Sequence, residues 1–393
     1  MKLARRIVLV VLGFLLLTFV SLWIAGPTPV SLGPYVQNVT STSADICWFD
    51  EVPRPIEVTV VGLKPVKIHE RSDDAKSAHR VRFDGFAPGT SYHYEVNSAD
   101  GETLGKGSFT TPPVDRAKSF TFTAVGDSGK VPRWLKMRDF GWERFRGVFP
   151  RTAQWDVGEW MAVKNPDLFV HLGDIIYSHD QLPAYKEAFF RPFEAVLSHT
   201  TLVATLGNHD MHTWEHPEFF RVFHTPKPLD PKQKYKDFSH TFTWGSVRFL
   251  VLDAFWQTWE PGSEMRQWLE ETLGAKSHPR TIVIMHTPAY SDEAGLAENE
   301  LLQKRLWPLF VQAKVALVIS GDSHSYQRFK PIGGVTQVVV GTGGKSIRPV
   351  AARRLAHKEE RFGFLLVKVT GTRIEGEFWA SGETPLDRFD IPE

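Results

Sequence analysis

Leu168-Phe169-Val170-His171-Leu172-Gly173-Asp174-Ile175-Ile176-Tyr177 joins an apolar run to a turn and a pair of polar side chains. Residues 168–172 have the character of a strand buried on both faces, as in a sheet covered by helices on both sides. Gly173 lets the backbone turn sharply, so that Asp174 points over the sheet edge. In open α/β sheets, sites form beyond the carboxyl ends of strands. One aspartate there carries little weight, since helix capping explains most of them.

The pattern recurs in both directions along the chain. Residues 120–125 end in Gly126-Asp127, 201–206 in Gly207-Asn208-His209-Asp210, 281–285 at His286, and 315–320 in Gly321-Asp322-Ser323-His324. Such a series is very hard to obtain by chance. Oxygen and imidazole donors without thiolate suit Mn²⁺, Zn²⁺ or iron. They exceed what one four- to six-coordinate ion needs. Two ions about 3.5–4 Å apart, sharing a carboxylate, would use them, as in hydrolytic phosphate chemistry.

Composition narrows the classes. In 393 residues, Lys and Arg number 46 against 45 Asp and Glu, a net charge of +1. That balance gives no electrostatic case for binding nucleic acid. The single cysteine, Cys47, excludes an internal disulfide framework and thiolate-clustered metals. The length leads to an expectation of two domains.

Residues 27–113 read as a small all-β domain, with short strands expected at 35–39, 44–49, 57–61, 79–83, 91–96 and 107–110. Phe86-Ala87-Pro88-Gly89-Thr90-Ser91-Tyr92 places Tyr92 where a tyrosine corner would sit. Thr111-Pro112-Pro113 reads as the linker, and 114–393 as an α/β domain with amphipathic stretches at 264–273 and 298–313. Ahead of these, Lys2, Arg5 and Arg6 precede a run without charge over 7–24. As a helix that run is about 27 Å long, close to a bilayer's hydrocarbon core. Residues 1–26 are read as an uncleaved signal anchor, with a cleaved signal peptide as the alternative. The body is then expected on the extracytoplasmic side.

The series GD, GDxxY, GNH, H and GxxH resembles the calcineurin-like metallophosphoesterases, and within them the purple acid phosphatases. Tyr177 marks that branch, as does Gly129, where other members place a histidine. His286-Thr287-Pro288-Ala289-Tyr290 and Gly341-Thr342-Gly343-Gly344 are also similar, and the likeness runs from about Gly33 to the C-terminus. The resemblance implies a four-layer α/β/β/α sandwich preceded by a fibronectin type III-like module. It implies an iron ion on Asp127, Asp174, Tyr177 and His324, and a second ion (Zn, Mn or Fe) on Asp174, Asn208, His286 and residue 322. His209 would contact the phosphate and protonate the leaving oxygen, with Asp210 as a further catalytic candidate. His212 and Arg328 are candidate substrate contacts. The activity implied is phosphomonoester hydrolysis by a metal-activated hydroxide. Phosphodiester or nucleotide hydrolysis is the alternative, and a catalytically weak phosphate-binding surface module is the alternative of another class.

The chain departs from the family at Asp322, where histidine is common. A ferric–divalent pair supplies +5, and Asp127, Asp174, Tyr177 and Asp322 supply −4, leaving +1; a histidine would leave +2. Less positive charge attracts a phosphate dianion less. Gly341-Thr342-Gly343-Gly344-Lys345-Ser346 contains GKS, but Val339 stands where a phosphate-binding P-loop needs glycine. Trp134, Trp142, Trp155 and Trp160 fall between the first two ligand strands and are candidates for a lid or for ordinary packing.

Overall fold

A computed structural model of the chain describes residues 11, 13, 31–51, 54–68, 77–131, 151–177, 182–211, 218–226, 238–255, 257–275, 280–294, 299–381 and 383–393. The leader expected over 1–26 lies outside them, apart from Val11 and Gly13, as do His212, Trp134 and Trp142. Among the described residues no helix is long and apolar enough to cross a membrane.

Strands β1 (Ser31–Gln37), β2 (Ser43–Asp50), β3 (Ile56–Val60), β4 (Val66–Ile68), β5 (Ser77–Asp84), β6 (Ser91–Ser98) and β7 (Thr103–Thr110) come first. They make two layers, β1-β2-β5 and β4-β3-β6-β7. Tyr92 sits at the corner as its position suggested: its hydroxyl accepts the Ala87 amide at 2.8 Å. The first layer is not a separate sheet. β1 pairs in parallel with β10 (Thr201–Ala204) at Val36 and Thr201.

The site-bearing part adds β8 (Phe120–Val125), β9 (Leu168–His171), β11 (His240–Trp244), β12 (Val247–Leu252), β13 (Arg280–Met285), β14 (Leu317–Ser320), β15 (Tyr326–Phe329), β16 (Thr336–Val340), β17 (Leu355–Glu359), β18 (Phe364–Thr370), β19 (Arg373–Trp379) and β20 (Asp387–Ile391). One sheet runs β20-β19-β18-β8-β9-β10-β1-β2-β5 and the other β11-β12-β13-β14-β16-β15-β17.

Two mixed sheets face each other, in keeping with the layered sandwich that the resemblance implies, whereas the apolar runs by themselves suggested one sheet with helices on both faces. Alternation along the strands is the reason. Phe249 and Val251 of β12, together with Ile282 and Ile319 of the same sheet, share a core with Phe122 of the other sheet. Leu250, Leu252, Val283 and Met285 turn the other way, onto Leu269, Leu302, Trp307 and Phe310. Both faces are apolar, so hydrophobic patterning alone could not tell a second sheet from a helical layer.

Among the helices, α1 (Ala153–Val163) buries Val157 and Met161 in the first core. α2 (Glu264–Gly274) is capped by Ser263, which accepts the Arg266 amide. The single helix expected over 298–313 is two, α3 (Glu300–Arg305) and α4 (Trp307–Gln312). Pro308 has no amide hydrogen to continue the ladder, and the chain bends at Leu306.

Candidate metal centre

Three adjacent strands of the first sheet, β8, β9 and β10, end beside β13 and β14 of the second, and their turns meet. Asp127, Asp174 and Asp322 all adopt left-handed backbone angles, with φ of 60°, 52° and 65°. Aspartate tolerates that region better than most residues, and such outliers gather at functional sites. The turns interlock: the Asp127 amide donates to the Gly173 carbonyl at 3.1 Å, and the Gly321 amide to the His286 carbonyl at 2.9 Å. There is no room for side chains between them. A Cβ on Gly207 would stand 2.1 Å from the Asp174 nitrogen.

Ligating atoms of Asp127, Asp174 and His286 lie within 4.8 Å of one another, and all three residues are buried. His286 donates Nδ1–H to the Leu172 carbonyl at 2.7 Å. Its Nε2 then faces Asn208 Oδ1 at 3.1 Å, Asp174 Oδ1 at 3.4 Å and Asp322 Oδ1 at 3.9 Å. On the other side, the Tyr177 hydroxyl donates to Asp127 Oδ1 at 2.6 Å and lies 3.0 Å from His324 Nε2. His324 Nε2 is 3.4 Å from Asp127 Oδ1. The sequence-predicted donors therefore divide into two groups joined by buried carboxylates.

Electrostatics fits a demand for positive charge. Burial lowers the His286 pKa, but Asp174, Asp127 and Asp322 outweigh it and hold it at about 9. Burial raises Asp322 to about 6, with Asp127 and Asp174 adding to the rise and His286 opposing it. Asp127 is pushed up by burial, yet the His324 hydrogen bond and the charges of His286 and His324 bring it below the usual carboxylate range. Burial, then Asp127 and Asp174, drive the Tyr177 phenol well up. A cation at this place answers the same clash of acceptors that the proton on His286 answers.

Two of the sequence-predicted residues have well-defined partners. Asp210 accepts the Ile175 and Ile176 amides on Oδ1 (2.8 and 3.3 Å) and the Gly207 amide on Oδ2 (2.9 Å). Both oxygens thereby hold the ligand turns together. Arg328 forms a bidentate pair with Asp387 at 2.7 and 2.9 Å, and Tyr326 donates to the same carboxylate. Its guanidinium is thus held against Asp387. His209 remains at the centre: its ring centroid is 4.6 Å from that of Tyr177, and its amide donates to Asp174 Oδ1 at 2.8 Å. Trp155 packs under Arg151 and Arg191, and Trp160 lies against the core.

Spacing did not reveal the supports. Buried Glu293 accepts the His324 amide at 2.7 Å, the Ser323 hydroxyl at 2.8 Å and Arg348 Nη1 at 2.8 Å. Ser346 Oγ lies 2.6 Å from His324 Nδ1, and Ser128 Oγ 2.8 Å from buried His171 Nε2. Glu293 lies outside every strand-end motif, so no local signal marks it.

The model of the calcineurin-like phosphoesterase family matches residues 120–326. The chain is 25% identical to purple acid phosphatase 21 of Arabidopsis thaliana over 281 residues, covering 68% of this chain and 58% of that relative. It thus spans under two-thirds of the relative's length. Its fold is similar to that of purple acid phosphatase PPD1 from yellow lupin (Lupinus luteus) seeds, with a TM-score of 0.72 at 17% identity, covering 93% of this chain and 75% of that one. It is also similar to the structure of PhoD, with a TM-score of 0.65 at 14% identity, covering 91% and 88%. The match takes in more than half of the chain and every strand end that builds the centre, so the chain belongs to the calcineurin-like phosphoesterase family.

Proposed function

We propose that the chain is a dinuclear-metal phosphohydrolase acting on phosphomonoesters. The observation that carries this is the buried convergence of Asp127, Asp174 and His286 within 4.8 Å. The donor set fits two ions. Asp127, Asp174, Tyr177 and His324 would hold one, iron in this reading. Asp174, Asn208, His286 and Asp322 would hold a second, Zn, Mn or Fe. When bound, such ions polarise phosphoryl oxygens and bring the pKa of a water toward neutrality.

The protein's own groups prepare for this. The Leu172 carbonyl holds Nδ1–H of His286, so that Nε2 faces the centre and would offer its lone pair to an ion that displaces its proton. Ser346 is placed to do the same for His324. His209, half-buried beside Tyr177, is the group placed to give a proton to the leaving oxygen. Diester hydrolysis is the second reading, favoured by Asp322, whose charge weakens attraction for a dianion. Residues 27–113 serve as a fibronectin type III-like spacer in this proposal. The charge-flanked apolar run at 7–24 supports an extracytoplasmic place with an N-terminal anchor.

The test is hydrolysis of a chromogenic monoester beside a diester by the full chain, first chelated and then reloaded with Mn²⁺, Zn²⁺ or iron. Turnover that disappears on chelation and returns on reloading supports the proposal. No turnover with any ion, despite bound metal, transfers the case to a phosphate-binding module.

A further inference from the structure

The segment after β16 lies directly on the ligand turns. The Gly343 amide donates to the Gly126 carbonyl at 2.9 Å, the Lys345 amide to the Asp127 carbonyl at 3.0 Å and the Arg348 amide to the His324 carbonyl at 2.9 Å. Glycine permits that closeness: a Cβ on Gly341 would stand 2.1 Å from the Ser323 carbonyl oxygen and 2.9 Å from Asp127 Oδ2. Further on, the Ala294 amide donates to the Pro349 carbonyl at 3.0 Å and the Ala351 amide to the Asp292 carbonyl at 2.8 Å, so residues 292–294 lie alongside 349–351. The backbone at Arg348 is therefore fixed to the last ligand turn by main-chain bonds.

Its side chain is tied to the same turn. Nη1 donates to Glu293 Oε1 at 2.8 Å, and the other oxygen of Glu293 takes the His324 amide at 2.7 Å and the Ser323 hydroxyl at 2.8 Å. The ion pair is ordered from inside to outside: the Glu293 side chain is 1% exposed and that of Arg348 49%. Glu293 thus anchors one arm of a fork that carries five N–H donors, and the rest of the fork faces outward. The Glu293 hydrogen bond, followed by the charges of Glu293, Tyr177 and Asp127, raises the Arg348 pKa against the effect of burial. Tyr177 and Asp127, joined at 2.6 Å, belong to the donors of the first ion, so the guanidinium stands on that side of the centre. The centre has a use for a cation there, since Asp322 adds a third carboxylate to Asp127 and Asp174.

We propose that Arg348 is a substrate-binding residue of this centre: Glu293 holds one arm of its guanidinium, and the other arm donates to a non-bridging oxygen of the phosphoryl group. A planar fork anchored on one side is pre-organised for phosphate in a way that a flexible ammonium is not. A phosphomonoester dianion has three non-bridging oxygens and a diester monoanion two, so a donor added to those of the ions favours the monoester. This rests on the phosphohydrolase reading above and names a residue that selects its substrate class.

The test uses the full chain loaded with Mn²⁺, with inorganic phosphate as the probe. Phosphate is titrated calorimetrically into wild type, Arg348→Gln, Arg348→Lys, Glu293→Gln and the double variant Glu293→Gln/Arg348→Gln, with metal content measured in the same samples. At equal metal content, Arg348→Gln is expected to bind phosphate about tenfold more weakly than wild type, as loss of one charge-assisted hydrogen bond implies. Arg348→Lys, which cannot serve Glu293 and phosphate with one fork, should fall between them. The same tenfold loss is expected between Glu293→Gln and the double variant, whereas a merely structural role, acting through the buried charge of Glu293, would lose its effect once that charge is gone. The KM for a chromogenic monoester should rise more in Arg348→Gln than that for a diester. Wild-type phosphate affinity in Arg348→Gln, a loss that vanishes in the Glu293→Gln background, or an equal loss on monoester and diester overturns the inference. So does an Arg348→Gln that fails to load while Arg348→Lys binds phosphate as wild type does, since Arg348 then serves metal retention. A loaded wild type that hydrolyses no ester overturns the phosphohydrolase reading instead, and the phosphate titrations still decide the role of Arg348.

Discussion

Gly207→Ala adds one methyl group at the point where the β10 turn meets Asp174. The new Cβ would stand 2.1 Å from the Asp174 nitrogen, 2.3 Å from its Oδ1 and 2.9 Å from its Cα. Carbon contacts settle near 3.5–4.0 Å, so the two turns must separate by more than about 1 Å. Two of the contacts are main-chain atoms and cannot swing aside. The shift breaks the His209 amide bond to Asp174 Oδ1 at 2.8 Å and moves Oδ1 from its place 3.4 Å from His286 Nε2. Overpacking costs about 1–3 kcal/mol and the lost hydrogen bond about 1 more, together about 2–4 kcal/mol. For a chain of this size, that lowers the melting temperature by roughly 2–5 °C. Gly274→Ala is the control, since a Cβ there meets nothing within 4 Å. Thermal melts of the chelated proteins, with metal analysis of the loaded ones, read both effects. If Gly207→Ala melts with Gly274→Ala and binds as much metal as wild type, the interlocked-turn argument is wrong.

Other perturbations separate the remaining claims. Asp322→His should raise zinc retention relative to manganese and increase the monoester-to-diester rate ratio several-fold; unchanged metal content and preference would show that Asp322 is not a ligand. Glu293→Ala strands the His324 amide, the Ser323 hydroxyl and Arg348, and should cost about 2–4 kcal/mol in urea melts together with metal affinity, while Glu293→Gln recovers part of both. Burial holds the His171 pKa down at about 3. The unfolded chain, with a pKa near 6.5, therefore binds the extra proton first, and stability present above about pH 6.5 is lost as pH falls toward about 3. Urea melts of the chelated protein should show about 2 kcal/mol less steepness of loss between about pH 6.5 and pH 5 in His171→Gln than in wild type.

The centre was legible because each donor follows a strand end. Apolar run, glycine and polar side chain are a local signal, and the sheet brings such ends together wherever the chain places the strands. Its supports were not legible. Glu293 reaches the last ligand turn from a segment with no periodic pattern, and Lys345 sits in a motif whose glycines suggested a different phosphate loop. Arg328 and Asp210 show the same limit: the sequence marks a charged residue beside a ligand motif, but its partner, Asp387 or a row of backbone amides, comes only from the structure. The layers of the fold were legible through the motif resemblance but not from hydrophobic patterning. Strands apolar on both faces read alike whether helix or sheet covers them, and only the split of β12 and β13 between two cores distinguishes the cases. The break at Leu306 was foreseeable from Pro308, whereas the pairing of β1 with β10 is a long-range contact that no local pattern announces.

Asp174 is the carboxylate both halves of the centre share, so metal stoichiometry of wild type beside Asp174→Asn tests the account most directly. The expected result is about two ions per wild-type chain and well under one in the variant, with the chelated forms equally folded. A wild type that takes up no metal, or an Asp174→Asn chain that still holds two ions, would contradict it.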